Sequence, residues 1–210
     1  MKKPGFTTLM RSTRCWLQHN DMLRAIEALD LGFHHHNGLR KDGVTPEFQH
    51  QIEIGQFITT LPLGDNMENC LIATFIHDLE EDYEVGLNTI EEKFGSDISQ
   101  AVWLLTKKTS EYEKPLELYY GDLSDSCIAS VVKGVDRLHN IQTMHGVFTK
   151  EKQMRYMGEV KNLLMPMLRR AKRKFPSQAQ AFKNLQITLF SQVELIKKIN
   201  GWDHVPAVPS

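Results

Sequence analysis

Residues 71–82 read LIATFIHDLEED, and the fold is decided here. Leu71 to Ile76 is an apolar run with Thr74 its one hydroxyl. His77-Asp78-Leu79-Glu80-Glu81-Asp82 then sets one imidazole and four carboxylates into six positions. Taken from Met67, the apolar run is long enough for a buried helix that delivers His77-Asp78 to its C-terminal end. Carboxylates gathered at the end of a buried segment repel one another unless a cation or a solvent-filled cleft receives them. A metal ion is the economical explanation, and it turns attention to the remaining ligands.

Working outward, the pattern is helical throughout. Residues 8–31 carry Leu17, Leu23, Ile26, Ala28 and Leu29 at helical spacing, and Gly32 is the expected stop. His34-His35-His36 looks like a metal cluster. Successive helical side chains diverge by about 100°, so the trio reads as a polar helix end with one inward member. Residues 39–49, with Gly43 and Pro46, read as a loop carrying Arg40-Lys41. His50 opens the next helix, at an accessible loop-to-helix junction. After the acidic stretch, residues 83–88 are a loop and 89–95 a short helix. Asn88 is its expected cap, with Glu91 completing a capping box. Asp97 is read as the cap of a helix reaching Lys107. Residues 108–114 are polar and loop-like, and Pro115 suits the first turn of the following helix.

Residues 123–141 form a helix whose apolar face, Ile128, Val131, Val132, Val135 and Leu138, contains Asp136. A carboxylate in such a stripe demands a partner. Residues 150–174 read as a long helix interrupted near Pro166. Its basic run, residues 169–174, is a solvated face that complements the helix dipole. Residues 178–199 are the last helix. No strand pattern or repeat is present, and the loop at 40–49 is too short to divide two cores. The expectation is one all-α domain of about eight to ten helices over residues 1–200, followed by an extended tail at 201–210.

Composition bounds the function. The chain has 210 residues, is 41% apolar and 24% charged, and carries a net charge of −1. No global field favours nucleic acid or an anionic membrane. The three cysteines, Cys15, Cys70 and Cys127, have no metal or disulfide spacing, which suits a reducing, cytoplasmic compartment. No signal peptide follows the basic start, and no apolar run approaches the ~18 residues of a membrane helix. A homo-oligomer stays open.

The candidate ligands are His50, His77, Asp78 and Asp136. Two imidazoles and two carboxylates suit a borderline divalent ion such as Mn²⁺, Fe²⁺, Zn²⁺ or Co²⁺. Such an ion can acidify a water and polarise a phosphoryl oxygen.

These residues carry a resemblance. The order His50, His77-Asp78, Asp136 is similar to the HD phosphohydrolase superfamily, and the surrounding text is more specific. Arg40-Lys41-Asp42-Gly43 through Pro46 to His50 resembles the RK-x-G…P-x3-H element of the RelA/SpoT hydrolase domain. His77-Asp78-Leu79-Glu80-Glu81-Asp82 resembles its HD-x-x-ED. Phe94-Gly95 with Leu105-Thr106-Lys107 resembles its FG…(L/V)TK, and Lys133-Gly134-Val135-Asp136-Arg137-Leu138-His139-Asn140 its K-x-x-DRLHN. The matches run in order over residues 34–145.

The resemblance implies an HD-domain helical bundle, usually Mn²⁺-dependent, that removes the 3′-pyrophosphate from the guanine nucleotides ppGpp and pppGpp. Carried over by position, His50, His77, Asp78 and Asp136 would hold the metal, and Glu81 and Asp82 would orient and activate the attacking water. Arg40 and Lys41 would contact the nucleotide, with Asn140 and Thr143 lining its pocket. Arg137 and His139 read as structural or phosphate-proximal, and Glu80 as solvent-facing. The chain has no room for the synthetase domain of the long bifunctional members and is expected to resemble the small stand-alone hydrolases. Three departures bear on the substrate. The loop before Pro46 is one residue longer than the common pattern, Glu47-Phe48 replaces the usual tyrosine, and Tyr83 stands where threonine commonly follows the acidic pair. An HD phosphohydrolase of another nucleotide (a dNTP, a nucleoside monophosphate or the NADPH phosphate) and a catalytically silent nucleotide-binding module are the alternatives.

Overall fold

The computed structural model describes residues 4–202. Residues 203–210, most of the expected tail, lie outside the described residues. The architecture is all-α, with no named strand among the described residues. Two compact units are present: residues up to 60 together with 64–114, and residues 61–63 together with those from 115 onward.

The first unit contains α1 (Phe6–His19), α2 (Leu23–His35), α3 (Gln49–Ile58), α4 (Met67–Ile76), α5 (Leu79–Tyr83), α6 (Leu87–Phe94) and α7 (Ser96–Leu105). Helix α4 is its axis and has the bounds expected from the sequence. Every residue from Cys70 to Ile76 is buried, as befits a helix that is apolar all round. Helices α2, α3 and α7 pack against it.

The segment read as one helix over 8–31 is two. Asp21 adopts a left-handed backbone, φ 54°, and turns the chain between α1 and α2. Asp tolerates that conformation better than most residues. Gly32 is not a stop; it lies inside α2, with His35 the last helical residue. Its role is close approach. A Cβ there would stand 2.2 Å from the Phe75 carbonyl oxygen and 2.7 Å from a Phe48 ring carbon. Gly32→Ala is therefore expected to force α2 off α4 and to destabilise the fold by at least the ~1–3 kcal/mol typical of overpacking, read as a lowered melting temperature.

Other helix ends shift for local reasons. Gly86, not Asn88, precedes the first turn of α6, and Gly95, at φ 88°, precedes α7, which leaves Asp97 inside its first turn. In both cases glycine takes the non-helical backbone at the junction.

The second unit holds α8 (Leu116–Leu123), α9 (Cys127–Thr143), α10 (Lys150–Glu159), α11 (Met165–Lys174) and α12 (Ala179–Asn200). Pro115 sits just before the first residue of α8. Ser126 starts α9 by accepting the Ala129 N–H, four residues later than the sequence pattern suggested. The expected interruption near Pro166 is a π-helical turn, Val160–Leu164, between α10 and α11. Proline has no N–H to give the carbonyl one turn back, and the wider turn absorbs the defect. Helix α9 packs against α11 and α12. The basic run of α11 is only partly a free face: Arg170 donates to the Tyr120 carbonyl at 3.0 Å, and Lys174 pairs with Asp125.

Arg137, expected to be structural or phosphate-proximal, makes a buried ion pair inside the second unit. Its Nη2 lies 2.7 Å from Glu159 Oε2, both side chains are buried, and its guanidinium stacks 4.0 Å over the Tyr156 ring. Arg137→Met would leave the Glu159 carboxylate buried without that charge. The expected cost is about 3–5 kcal/mol in chemical denaturation.

Candidate metal centre

The C-terminal end of α4 builds the first half of the site. His77 ends that helix and Asp78 starts α5, and the bend between them turns two neighbouring side chains to one point. His77 Nε2 lies 3.0 Å from Asp78 Oδ1. The other ring nitrogen, Nδ1, is 2.8 Å from the Thr74 carbonyl oxygen and must donate to it. A neutral His77 therefore presents a lone pair at Nε2. That lone pair faces a carboxylate oxygen, and two acceptors so close call for a shared proton or a shared cation. A ligating imidazole is commonly anchored in this way, through its far nitrogen to a carbonyl.

His50 is the second residue of α3 and is buried, 7% exposed, not accessible as its position had suggested. Phe48 and Ile52 carry the start of α3 into the core, and His50 goes with them. The His50 and His77 ring centroids are 6.3 Å apart.

Asp136 belongs to the second unit. It is buried in α9 and has the partners its place in an apolar stripe requires. Asn140 Nδ2 donates to its Oδ1 at 2.7 Å and Lys133 Nζ to its Oδ2 at 3.0 Å. His50, His77 and Asp136 are three buried side chains of the kinds that could hold a metal ion. Imidazole and carboxylate are both donor kinds that suit a borderline divalent cation.

The acidic stretch divides. Glu81 Oε2 accepts the Lys107 backbone N–H at 2.7 Å, which commits that oxygen to anchoring the end of α7. Asp82 is the freer of the two. Partial burial pushes its carboxyl up to about 6, and the charges of Asp78, Glu81 and Glu47 add to the rise. Glu80 is not simply solvent-facing. Its Oε2 is buried without a hydrogen-bond partner, and burial, then the neighbouring Glu84 charge, raises its carboxyl.

The loop ahead of α3 is ordered by Asp42. Its carboxylate accepts the Val44 and Thr45 N–H groups and the Thr45 hydroxyl; these bonds hold it down at about 2. Gly43 closes the turn at φ 73°, a backbone conformation that glycine takes without steric cost. Arg40 and Lys41 flank this turn, Lys41 exposed and Arg40 partly so. In the second unit, Asn140 is occupied with Asp136, and the Thr143 hydroxyl donates to the His139 carbonyl of its own helix.

Two departures from the family pattern meet. The Tyr83 hydroxyl donates to Glu47 Oε2 at 2.7 Å. Burial, then that bond to a carboxylate, drives the phenol well above its ordinary value. The sequence showed each substitution but not the contact, since they are far apart in the chain. Gln51 carries no motif in the sequence, and a glutamine on the buried side of an apolar helix was its available signal; Lys107, which falls in the Leu105-Thr106-Lys107 segment, serves through its backbone N–H.

Comparison with known proteins follows the same line. No family model matches the chain. A probable guanosine-3′,5′-bis(diphosphate) 3′-pyrophosphohydrolase of Synechocystis is 30% identical over 139 residues, covering 62% of this chain and 18% of that protein. A probable GTP pyrophosphokinase of Mycobacterium leprae is 28% identical over 154 residues, covering 70% of this chain and 19% of that protein. A solved structure, reported for a metazoan ortholog of SpoT that hydrolyzes ppGpp, superposes with a TM-score of 0.60 at 21% identity, covering 85% of this chain and 96% of that one. The chain resembles a RelA/SpoT-type HD hydrolase domain in sequence and in fold. This RelA/SpoT-like chain spans only about a fifth of the curated relatives it matches, 18–19% of their length. Among the described residues no helix is long and apolar enough to cross a membrane.

Proposed function

We propose that this chain is a divalent-metal hydrolase that removes the 3′-pyrophosphate from ppGpp and pppGpp, giving GDP or GTP and pyrophosphate. The observation that carries the reading is the His77–Asp78 pair. Two metal-ligand types aim at one point, in a chain similar to a relative named for this chemistry. His50, His77, Asp78 and Asp136 would hold one ion, with Mn²⁺ the first choice and Fe²⁺, Zn²⁺ and Co²⁺ the alternatives. When bound, that ion would supply positive charge to a phosphoryl oxygen and lower the pKa of a water. The two units then work as a single domain.

The protein's own groups do the rest. Asp82 takes the proton of the attacking water, and Glu81, held by the Lys107 amide, orients it. Arg40 and Lys41 meet the anionic nucleotide, Arg40 by forking onto phosphate or stacking on the base. Asn140 donates to Asp136 and so holds it in place, and Asn140 and Thr143, close to one turn apart on α9, would line the nucleotide pocket. The free cysteines and near-neutral charge fit a cytoplasmic protein with no nucleic-acid or membrane partner.

A second reading has its own support. The Tyr83–Glu47 pair replaces the residues usual in the family, which favours a different nucleotide at the same centre. One panel separates these. The protein is incubated with Mn²⁺ and ppGpp, NADPH or dNTPs, and the products are resolved. Pyrophosphate with GDP is the expected result. Phosphate from NADPH, or turnover of dNTPs alone, transfers the activity to the second reading. No turnover by metal-loaded protein makes the chain a silent binding module.

A further inference from the structure

Gln51 follows His50 on α3 and is 1% exposed. Its amide stands between two other site groups: Nε2 is 3.1 Å from His36 Nε2 and 3.0 Å from Asp78 Oδ2. The roles in this chain can be assigned. His36 Nδ1 is 2.8 Å from the Gly32 carbonyl oxygen, which only accepts, so the ring hydrogen sits on Nδ1. His36 is buried, and that burial lowers its affinity for a second proton. Its Nε2 is then an acceptor. Gln51 must give it one N–H and has one N–H left, which goes to Asp78 Oδ2. The opposite amide orientation would set Gln51 Oε1 against a lone pair and a carboxylate at once.

The arrangement is directional. The Gly32 carbonyl sets the His36 tautomer, His36 sets the Gln51 amide, and Gln51 takes Asp78 Oδ2. Asp78 Oδ1 is left on the side of His77 Nε2. Gln51 Oε1 meanwhile is buried with no partner. A purely packing side chain at this place would be apolar and would carry no such unpaired atom. We infer that Gln51 is a positioning residue of the metal centre, locked by His36, whose bond to Asp78 holds that carboxylate in its ligating orientation. The inference rests on the proposed role of Asp78 as a ligand.

The test is Mn²⁺ binding by calorimetry on the full chain, together with the melting temperature of the metal-free protein. Gln51→Met keeps length and apolar bulk and removes both donors. It is expected to stay folded and to bind Mn²⁺ about 10–100-fold more weakly, the usual effect of losing an outer partner of a ligand. His36→Phe keeps the ring contacts with Phe48 and Tyr83 and removes the lock. It is expected to weaken Mn²⁺ in the same direction, and the double variant should be little worse than Gln51→Met alone. A folded Gln51→Met protein with unchanged Mn²⁺ affinity overturns the inference. Should Gln51→Met not fold, His36→Phe decides, and unchanged affinity there overturns it equally. If the unaltered protein binds Mn²⁺ and the variants bind it as well, only the role of Gln51 fails; if the unaltered protein binds none, the metal reading fails with it.

Discussion

Asp82→Asn is expected to lower turnover by about 10²–10⁴-fold, the usual contribution of a positioned general base, while Mn²⁺ stays bound. The amide is isosteric with the carboxylate but has no basic oxygen to receive a proton from water. The hydrogen bonds that hold this segment do not use the charge. The Asp82 side chain keeps a solvent-exposed face beside its partly buried carboxyl, and α5 is held through the Asp82 backbone N–H to Asp78 and the Val85 N–H to Leu79. Removing this carboxylate also relieves its repulsion with Asp78, Glu81 and Glu47, which helps to raise the Asp82 carboxyl. The measurement is kcat at saturating Mn²⁺ beside metal content per chain. Loss of metal in the variant would make Asp82 a ligand, and unchanged kcat would move the base elsewhere.

The second large effect is loss of the metal on altering Asp136. Asp136→Ala removes the ligand but also strands Lys133, whose ammonium lies 3.0 Å from the carboxylate and is mostly buried. Part of any loss would then be instability, since an unpaired buried charge is costly. Asp136→Asn separates the two. It keeps the shape and an acceptor for Lys133, and it removes the anionic oxygen. Both variants are expected to bind Mn²⁺ more than about 100-fold more weakly, beyond the range for an outer partner, and to lose activity in proportion. Asp136→Asn should remain folded by circular dichroism. Stoichiometric metal in Asp136→Asn at wild-type affinity would remove Asp136 from the centre.

How far the sequence could be read is clearest at α4. An apolar run with no polar face has one solution, a helix buried on every side, and both of its ends were legible. The joint between α1 and α2 was not. Periodicity persists across it, and only the left-handed Asp21 breaks the helix. Gly32 illustrates the converse error. In sequence a glycine after a helical pattern is a stop; in the fold the carbonyl of Phe75 and the ring of Phe48 occupy the space of a side chain. No local signal distinguishes these, because the decisive neighbour comes from another helix.

The site divides in the same way. His77 and Asp78 were legible because charge at the end of a buried run needs an explanation. The triple histidine was rightly reduced to one inward member, which is His36. The burial of His50, the unpartnered oxygen of Glu80, and the contact between Tyr83 and Glu47 all come from packing between segments. The same holds for the path from His36 through Gln51 to Asp78, whose three members are far apart in the chain and share no motif.

The most direct test of the account is a crystal structure grown with Mn²⁺ and read at the manganese absorption edge. The expected result is one anomalous peak within about 2.0–2.3 Å of His50, His77, Asp78 and Asp136, the ordinary span for nitrogen and oxygen ligands of such ions. A peak bonded to other residues, or one that Asp136 does not reach, would contradict the shared-ion centre on which the proposed chemistry depends.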